Sequence, residues 1–110
     1  MVLGLSSDFE VSTLDSLTSA GVTSSVQTAG VNLTFQVTVS SIGTNVVVRF
    51  EGSLDDTNFA NLDEDAEDTT ITANGTTIYS LSGTPVKFVR VRLVSLSGGS
   101  PTVSTKVGVA

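Results

Sequence analysis

The side chains of this chain that could do chemistry are carboxylates and arginines, because histidine and cysteine are both absent. Those two residue types supply the commonest general bases and nucleophiles near neutral pH, and a Ser-His-Asp triad is excluded without them. A carboxylate pair could still run glycoside hydrolysis, but most acidic residues are crowded into one stretch where we expect water to solvate them. We therefore predict that the chain is not an enzyme and carries no cofactor.

The densest group of charges is the acidic stretch from residue 63 to residue 68, and two further aspartates precede it at positions 55 and 56. Calcium is the functional interpretation, since hard cations bind several carboxylate oxygens. The candidate ligands are Asp63, Asp65, Glu67 and Asp68. Their spacing does not match the EF-hand pattern, and a solvated loop that discourages strand pairing accounts for the same charges. We favour the solvated loop and keep calcium as the alternative.

All three arginines lie in two segments that read as strands, each with an apolar face opposite them. Arg49 should lie beside Arg90 and Arg92 if the two strands are neighbours, with Glu51 close enough to form cross-strand ion pairs. Each such pair would contribute about 0.3 kcal/mol to the free energy of unfolding. Alternatively, this face is an interface, with Phe88 among the arginines, because arginine and aromatic residues are enriched at interface centres.

The N-terminal segment is apolar and supplies the remaining interface candidates, Val2, Leu3 and Leu5. Such an end usually packs onto its own core or frays. In an assembly protein it can instead reach a neighbouring subunit, so residues 1–7 are a candidate arm.

The elements that must position these residues are predicted to be strands. The composition includes 17 Val, 16 Thr and 16 Ser but only 2 Lys, and branched side chains fit a pleated sheet better than a helix. Apolar and polar residues alternate from Leu33 to Val39, from Val46 to Glu51 and from Val86 to Val94. We predict an all-β fold, an antiparallel, jelly-roll-like β-sandwich of about eight strands that forms a single domain over residues 1–110.

Turn residues predict where those strands end. Ser41 to Thr44 and Ser97 to Pro101 read as turns between separate strands, and Asn74-Gly75 is the strongest hairpin signal in the chain. The segment from Thr13 to Ala20 is the one place where the sequence leaves room for a helical turn.

Charge and hydropathy restrict the partners. The formal net charge of -6 repels phosphate backbones, so nucleic acid is not an expected partner. No run approaches the roughly 18 apolar residues that span a bilayer, and the first residues lack the pattern of a signal peptide. We expect a protein made in the cytoplasm that does not contact a membrane.

Two segments carry a family resemblance. The segment VVVRFEGSLDDTNFANL at residues 46–62 and the segment TPVKFVRVRLV at residues 84–94 resemble small β-sandwich virion proteins of tailed bacteriophages, especially capsid decoration (cement) proteins and other head or tail accessory proteins. The shared pattern is an arginine-bearing strand, a G-S-L-D-x-T-N-aromatic turn and a later V-K-F-V-R-V-R strand. Discoidin-like carbohydrate-binding domains share parts of it, but they often have Trp where this chain has Phe59.

The resemblance implies a viral structural protein on the capsid surface of the virion. Its partner would be the major capsid protein, it would act as a homotrimer or other symmetric homo-oligomer, and it would stabilise the assembled shell by interfacial packing. Two alternatives stay open. One is a tail, collar or head-fibre component, and the other is a glycan-binding or host-attachment module that uses Tyr79 or Asn58.

Overall fold

The computed structural model describes residues 10–62 and 68–110, and the regular structure within those ranges consists of antiparallel strands. There are eight of them, which confirms the predicted all-β fold class and strand number. They are β1 (Glu10–Thr13), β2 (Gly21–Val22), β3 (Val26–Gln27), β4 (Leu33–Ser53), β5 (Ala60–Asn61), β6 (Thr69–Ile71), β7 (Gly75–Leu81) and β8 (Phe88–Val109). Within these ranges, no helix is long and apolar enough to cross a membrane.

Two long strands, β4 and β8, form the frame of the molecule. They pair antiparallel along almost their whole length, from Leu33 opposite Val109 to Ser53 opposite Phe88. The pairing shifts register around Ser40 to Asn45, and this irregularity bends both strands at the same level. The segments predicted as turns, 41–44 and 97–101, are therefore bends inside continuous strands, and the prediction of separate strands there was wrong.

Glycines make the bend feasible, because the two backbones touch there. A side chain on Gly43 would overlap the backbone of Gly98, and Gly98 and Gly99 have φ angles of 69° and 61°. Residues with a Cβ atom rarely adopt such angles. Ser41, with a φ of 55°, completes the bend on β4.

The bend folds the sheet onto itself in two layers. The first layer contains β7, β4 up to Ser40, β8 from Thr102 onward, and β1. The second layer contains β5 and β6, the remainder of β4, the first part of β8, and β2 and β3. Phe35 of the first layer stacks on Phe50 of the second with ring centroids 4.4 Å apart, so the inner faces are in contact.

The core between the layers is built by the predicted alternation. Its fully buried residues recur at every second position of the two long strands, which places their side chains on one face. They include Leu33, Phe35, Val37, Val39, Val46, Val48, Val89, Val91, Leu93, Val103 and Val107.

Two local predictions were wrong. Asn74-Gly75 does not close a hairpin, since β6 pairs with Val46 to Val48 in one layer and β7 pairs with Leu33 to Val39 in the other. The link therefore crosses between layers. The segment from Thr13 to Ala20 contains no helical turn, because Leu17 instead forms an isolated bridge with Val103.

Candidate functional site

The three arginines come together on the outer face of the second layer. Alternation points the side chains of Arg49 and Glu51 away from the core, and the same holds for Arg90 and Arg92 on β8. The register places Glu51 opposite Arg90, and Arg49 opposite Arg92. The predicted neighbourhood of these four residues is therefore correct.

Glu51 is the hub of this group. Its Oε1 accepts a hydrogen bond from Arg90 Nε at 2.7 Å, and its Oε2 accepts one from Arg92 Nε at 2.9 Å. Arg49 Nη1 lies 3.7 Å from the same Oε2 atom. Burial would raise the pKa of Glu51, but the hydrogen bonds from Arg92 and Arg90 outweigh it and hold the pKa below its ordinary value. With a side chain only 4% exposed, this carboxylate is a buried anion held by three cations.

A second carboxylate fixes Arg49. Asp68 Oδ1 accepts a hydrogen bond from Arg49 Nε at 2.7 Å, and Oδ2 accepts one from Arg49 Nη2 at 3.1 Å. This two-pronged contact lowers the pKa of Asp68 and raises that of Arg49. Such fork geometry is among the stronger ion-pair arrangements, because both bonds form in one plane.

An aromatic ring covers one of the arginines. The guanidinium carbon of Arg90 lies 3.8 Å from the ring centroid of Phe59, within the range of a cation–π contact. Phe59 precedes the short strand β5, which pairs with Glu51 and Gly52. Arg90 is therefore held by Glu51 on one side and by an aromatic face on the other.

The turn that delivers Phe59 is the D-x-T-N motif of the sequence. The Asp55 carboxylate accepts hydrogen bonds from Ser53 Oγ, from the backbone amides of Thr57 and Asn58, and from Asn58 Nδ2, at 2.8 to 3.0 Å. The bond from the Asn58 amide is the largest cause of a pKa of Asp55 well below its ordinary value. The motif is thus a turn stabilised by its own hydrogen bonds, and it fixes the position of Phe59.

We call Arg49, Glu51, Asp68, Arg90 and Arg92, together with Phe59, the arginine face. Its three cations and two anions leave a local charge of about +1, on a chain whose net charge is -6. The arginine side chains remain 21% to 36% exposed. Pre-positioned guanidinium groups beside an aromatic ring can bind carboxylates and carbonyls of another protein.

The other predicted site residues lie apart from this group or outside the described ranges. Phe88 is half-buried on the same outer face, opposite Ser53 and Gln27, but the ring that contacts an arginine is Phe59. Of the calcium candidates, Asp63, Asp65 and Glu67 lie outside the described residues, and Asp68 is bound to Arg49. Val2, Leu3 and Leu5 also lie outside them.

The two residues named for the glycan alternative do not form a common surface. Tyr79 is half-buried, with its ring 5.3 Å from that of Phe50 at the open edge between the layers. Asn58 is bound to Asp55 inside its turn. Neither presents the exposed aromatic platform on which sugars usually stack.

Sequence reasoning missed Phe59 and the degree of burial of Glu51. The signal for Phe59 was present, because it is the aromatic residue of the D-x-T-N motif. No pattern along the chain indicated that three arginines would bury one glutamate, since that depends on the register between β4 and β8.

Comparison with solved structures identified a protein of similar fold. No protein-family model matches the sequence, and no curated protein matches it. Among solved structures, the chain is similar to the crystal structure of SPBc2 prophage-derived protein YomS, with a TM-score of 0.61 at 16% sequence identity. The similarity covers 92% of this chain and 93% of that one. The two-layer fold described above is therefore one that a prophage-derived protein also adopts.

Proposed function

We propose that this chain is a structural protein of a bacteriophage particle that binds other virion subunits through the arginine face. The arginine face carries the proposal, because it presents guanidinium groups fixed by hydrogen bonds, beside an aromatic ring, on the outer face of the second layer. The sequence resemblance to tailed-phage virion proteins supports it, as does the fold shared with a prophage-derived protein.

The finer proposal is a capsid decoration protein that joins the assembled shell as a homotrimer. Its partner is the major capsid protein, its place is the outer surface of the capsid, and it is made in the host cytoplasm. It stabilises the shell by bridging neighbouring subunits, since each contact made in a symmetric array makes the next one effectively intramolecular.

The geometry of the arginine face suits such a contact. Arg90 and Arg92 are each fixed by a hydrogen bond to Glu51, and Phe59 restrains Arg90 further. A long side chain that is already ordered loses little rotamer entropy when it binds, so more of the contact energy appears as affinity. The guanidinium groups themselves can also pair with carboxylates of the partner.

The test is binding to capsid shells of the phage that encodes the chain, assembled without it. We expect the wild-type chain to decorate expanded shells in a copy number that follows the local capsid symmetry. The double variant R90K/R92K keeps two positive charges near Glu51 but loses the planar forks, and we expect its affinity to fall at least about 10-fold. Circular dichroism and a melting curve would verify that it is folded.

The matched control is the double variant T34A/Q36A, which changes two half-buried polar residues on the outer face of the first layer. We expect it to bind shells like the wild type. Undiminished binding by R90K/R92K would overturn the role of the arginine face. A few copies per particle, found only at the vertex or tail, would overturn the decoration role in favour of a tail or collar component.

A further inference from the structure

Strand β7 is an edge strand of the first layer in the described part of the chain. It pairs with β4 through an unbroken register, from Leu81 opposite Leu33 to Gly75 opposite Val39. Within residues 10–62 and 68–110, no strand pairs with the other side of β7. The outward N–H and C=O groups of such an edge are a template for a further strand.

β7 is also the edge with the fewest obstacles to pairing. It is seven residues long, whereas β1 has four residues and the edge strands of the second layer have two or three. Residues 69–86 contain no charged side chain, and β7 itself contains neither a proline nor a register shift. Charges, prolines and bulges are the usual means by which proteins block edge pairing, and β7 has none of them.

Apolar surface lies along the same edge. Ile78, at the middle of the strand, is 60% exposed. Next to it is an open cleft of ≈ 350 Å³, bounded by Phe50 and Thr69 on one side and by residues 78–81 of β7 on the other. An extended segment laid beside β7 would cover Ile78 and close this cleft.

We propose that the segment is β7 of a second copy of this chain, paired antiparallel across a two-fold axis at Ile78. In that register Ile78 faces the second copy's Ile78, Thr76 faces the second copy's Ser80, and Thr77 faces the second copy's Tyr79. Apolar meets apolar, and hydroxyl meets hydroxyl or aromatic ring. Two chains of net charge -6 repel each other, so a contact centred on an uncharged strand is the least opposed by charge.

The contact is separate from the arginine face, because β7 belongs to the first layer and the arginine face to the second. It therefore goes beyond the proposed function: the free chain associates in pairs through β7, the homotrimer forms only on the shell, and the arginine face stays free for the shell. Pairing of one seven-residue strand is a small interface, so we expect an association that depends on protein concentration.

The absence of cysteine permits a direct test of the register. Directly opposite residues in an antiparallel pair have Cβ atoms about 5 Å apart, so I78C should form a disulfide-linked dimer on mild oxidation. A mixture of T76C and S80C should form heterodimers in excess over either variant alone. The control is V11C, because Val11 is also 60% exposed but lies on β1 at the opposite edge of the layer.

Sedimentation of the purified chain tests the association itself. We expect a monomer–dimer equilibrium that I78K weakens at least tenfold and that V11K leaves unchanged, with both variants folded by circular dichroism. A wild-type chain that stays monomeric at millimolar concentration would overturn the proposal, as would V11C cross-linking as fast as I78C. Protection of the β7 amides from hydrogen exchange only on a capsid shell would also overturn it, since another protein's strand would then occupy the edge. A dimer that does not bind shells would overturn only the decoration role.

Discussion

The outer faces of the two layers differ although their inner faces follow the same rule. Along both halves of β4 and β8, every second residue is buried, and apart from Gly52 of β4 and Pro101 and Thr105 of β8 these residues are Val, Leu or Phe. The first layer's outer face carries hydroxyl pairs such as Thr38 with Thr76 and Ser16 with Ser104, at 2.9 and 3.0 Å. The second layer's outer face instead carries a buried carboxylate held by three arginines.

The comparison shows which surface is specialised. Exposed hydroxyl pairs exchange readily with water and tolerate substitution, so the first layer's face needs little more than solubility. A buried glutamate requires every one of its arginine partners, because an uncompensated buried charge is costly. The second layer's face is therefore a linked unit, whereas the first layer's face is a set of independent residues.

Removal of Glu51 should reveal the difference between the two outer faces most clearly. We expect E51A to lower the free energy of unfolding by about 2 kcal/mol, because it leaves Arg49 directly opposite Arg92 without the intervening anion, while the guanidinium groups stay partly solvated. The measurement is urea denaturation at neutral pH. Q36A, in the equivalent part of β4 in the first layer, should change the stability by less than about 0.5 kcal/mol. Equal losses for the two variants would contradict the linked-unit interpretation.

Acid should produce a smaller effect of the same origin. The pKa values of Glu51 and Asp68 are lowered in the folded chain, so their stabilisation is complete above the unfolded values near 4. It is lost as the pH falls through the lower folded values. We expect the urea midpoint to fall between pH 6 and pH 3, and to fall less steeply for E51Q. Parallel pH profiles for E51Q and the wild type would contradict this assignment.

A third prediction compares one buried threonine in each layer. Thr105 of the first layer is 2% exposed, and among the residues that the structure describes its hydroxyl has no hydrogen-bond partner. In the second layer, buried Thr23 donates to the Ser24 carbonyl and accepts from the Val91 amide. We expect T105V to raise the unfolding free energy by about 1 kcal/mol, since it removes an unsatisfied group without changing the volume.

Thr23 supplies the matched control for that experiment. T23V should lower the unfolding free energy by about 1 kcal/mol, because it leaves the Val91 amide without its partner. Thermal or urea unfolding of both variants would measure the contrast. Changes in unfolding free energy of the same sign for T105V and T23V would show that hydrogen bonding of the threonine hydroxyl does not determine these changes.

Local sequence patterns predicted much of the fold because their physical cause is local. Alternation placed Phe35 inward and Arg90 outward correctly, since successive side chains of a strand point to opposite faces. Glycine-rich segments such as Ser97 to Pro101 were read as turns, yet the same conformational freedom allowed a bend within one strand. A glycine shows that the chain can deviate there, but not whether a neighbouring strand continues past it.

The sequence by itself determined the strand-forming composition, the face on which each side chain of a strand lies, the outward positions of the arginines and the D-x-T-N turn. Only the tertiary structure decided that β4 and β8 pair along their full length, that Asn74-Gly75 links two layers, and that Glu51 lies between Arg90 and Arg92. The physical reason is distance along the chain. The face on which a side chain lies depends on neighbouring residues in the sequence. The partners of Glu51 depend instead on the register between two strands far apart in the sequence, which the packing of the whole core selects.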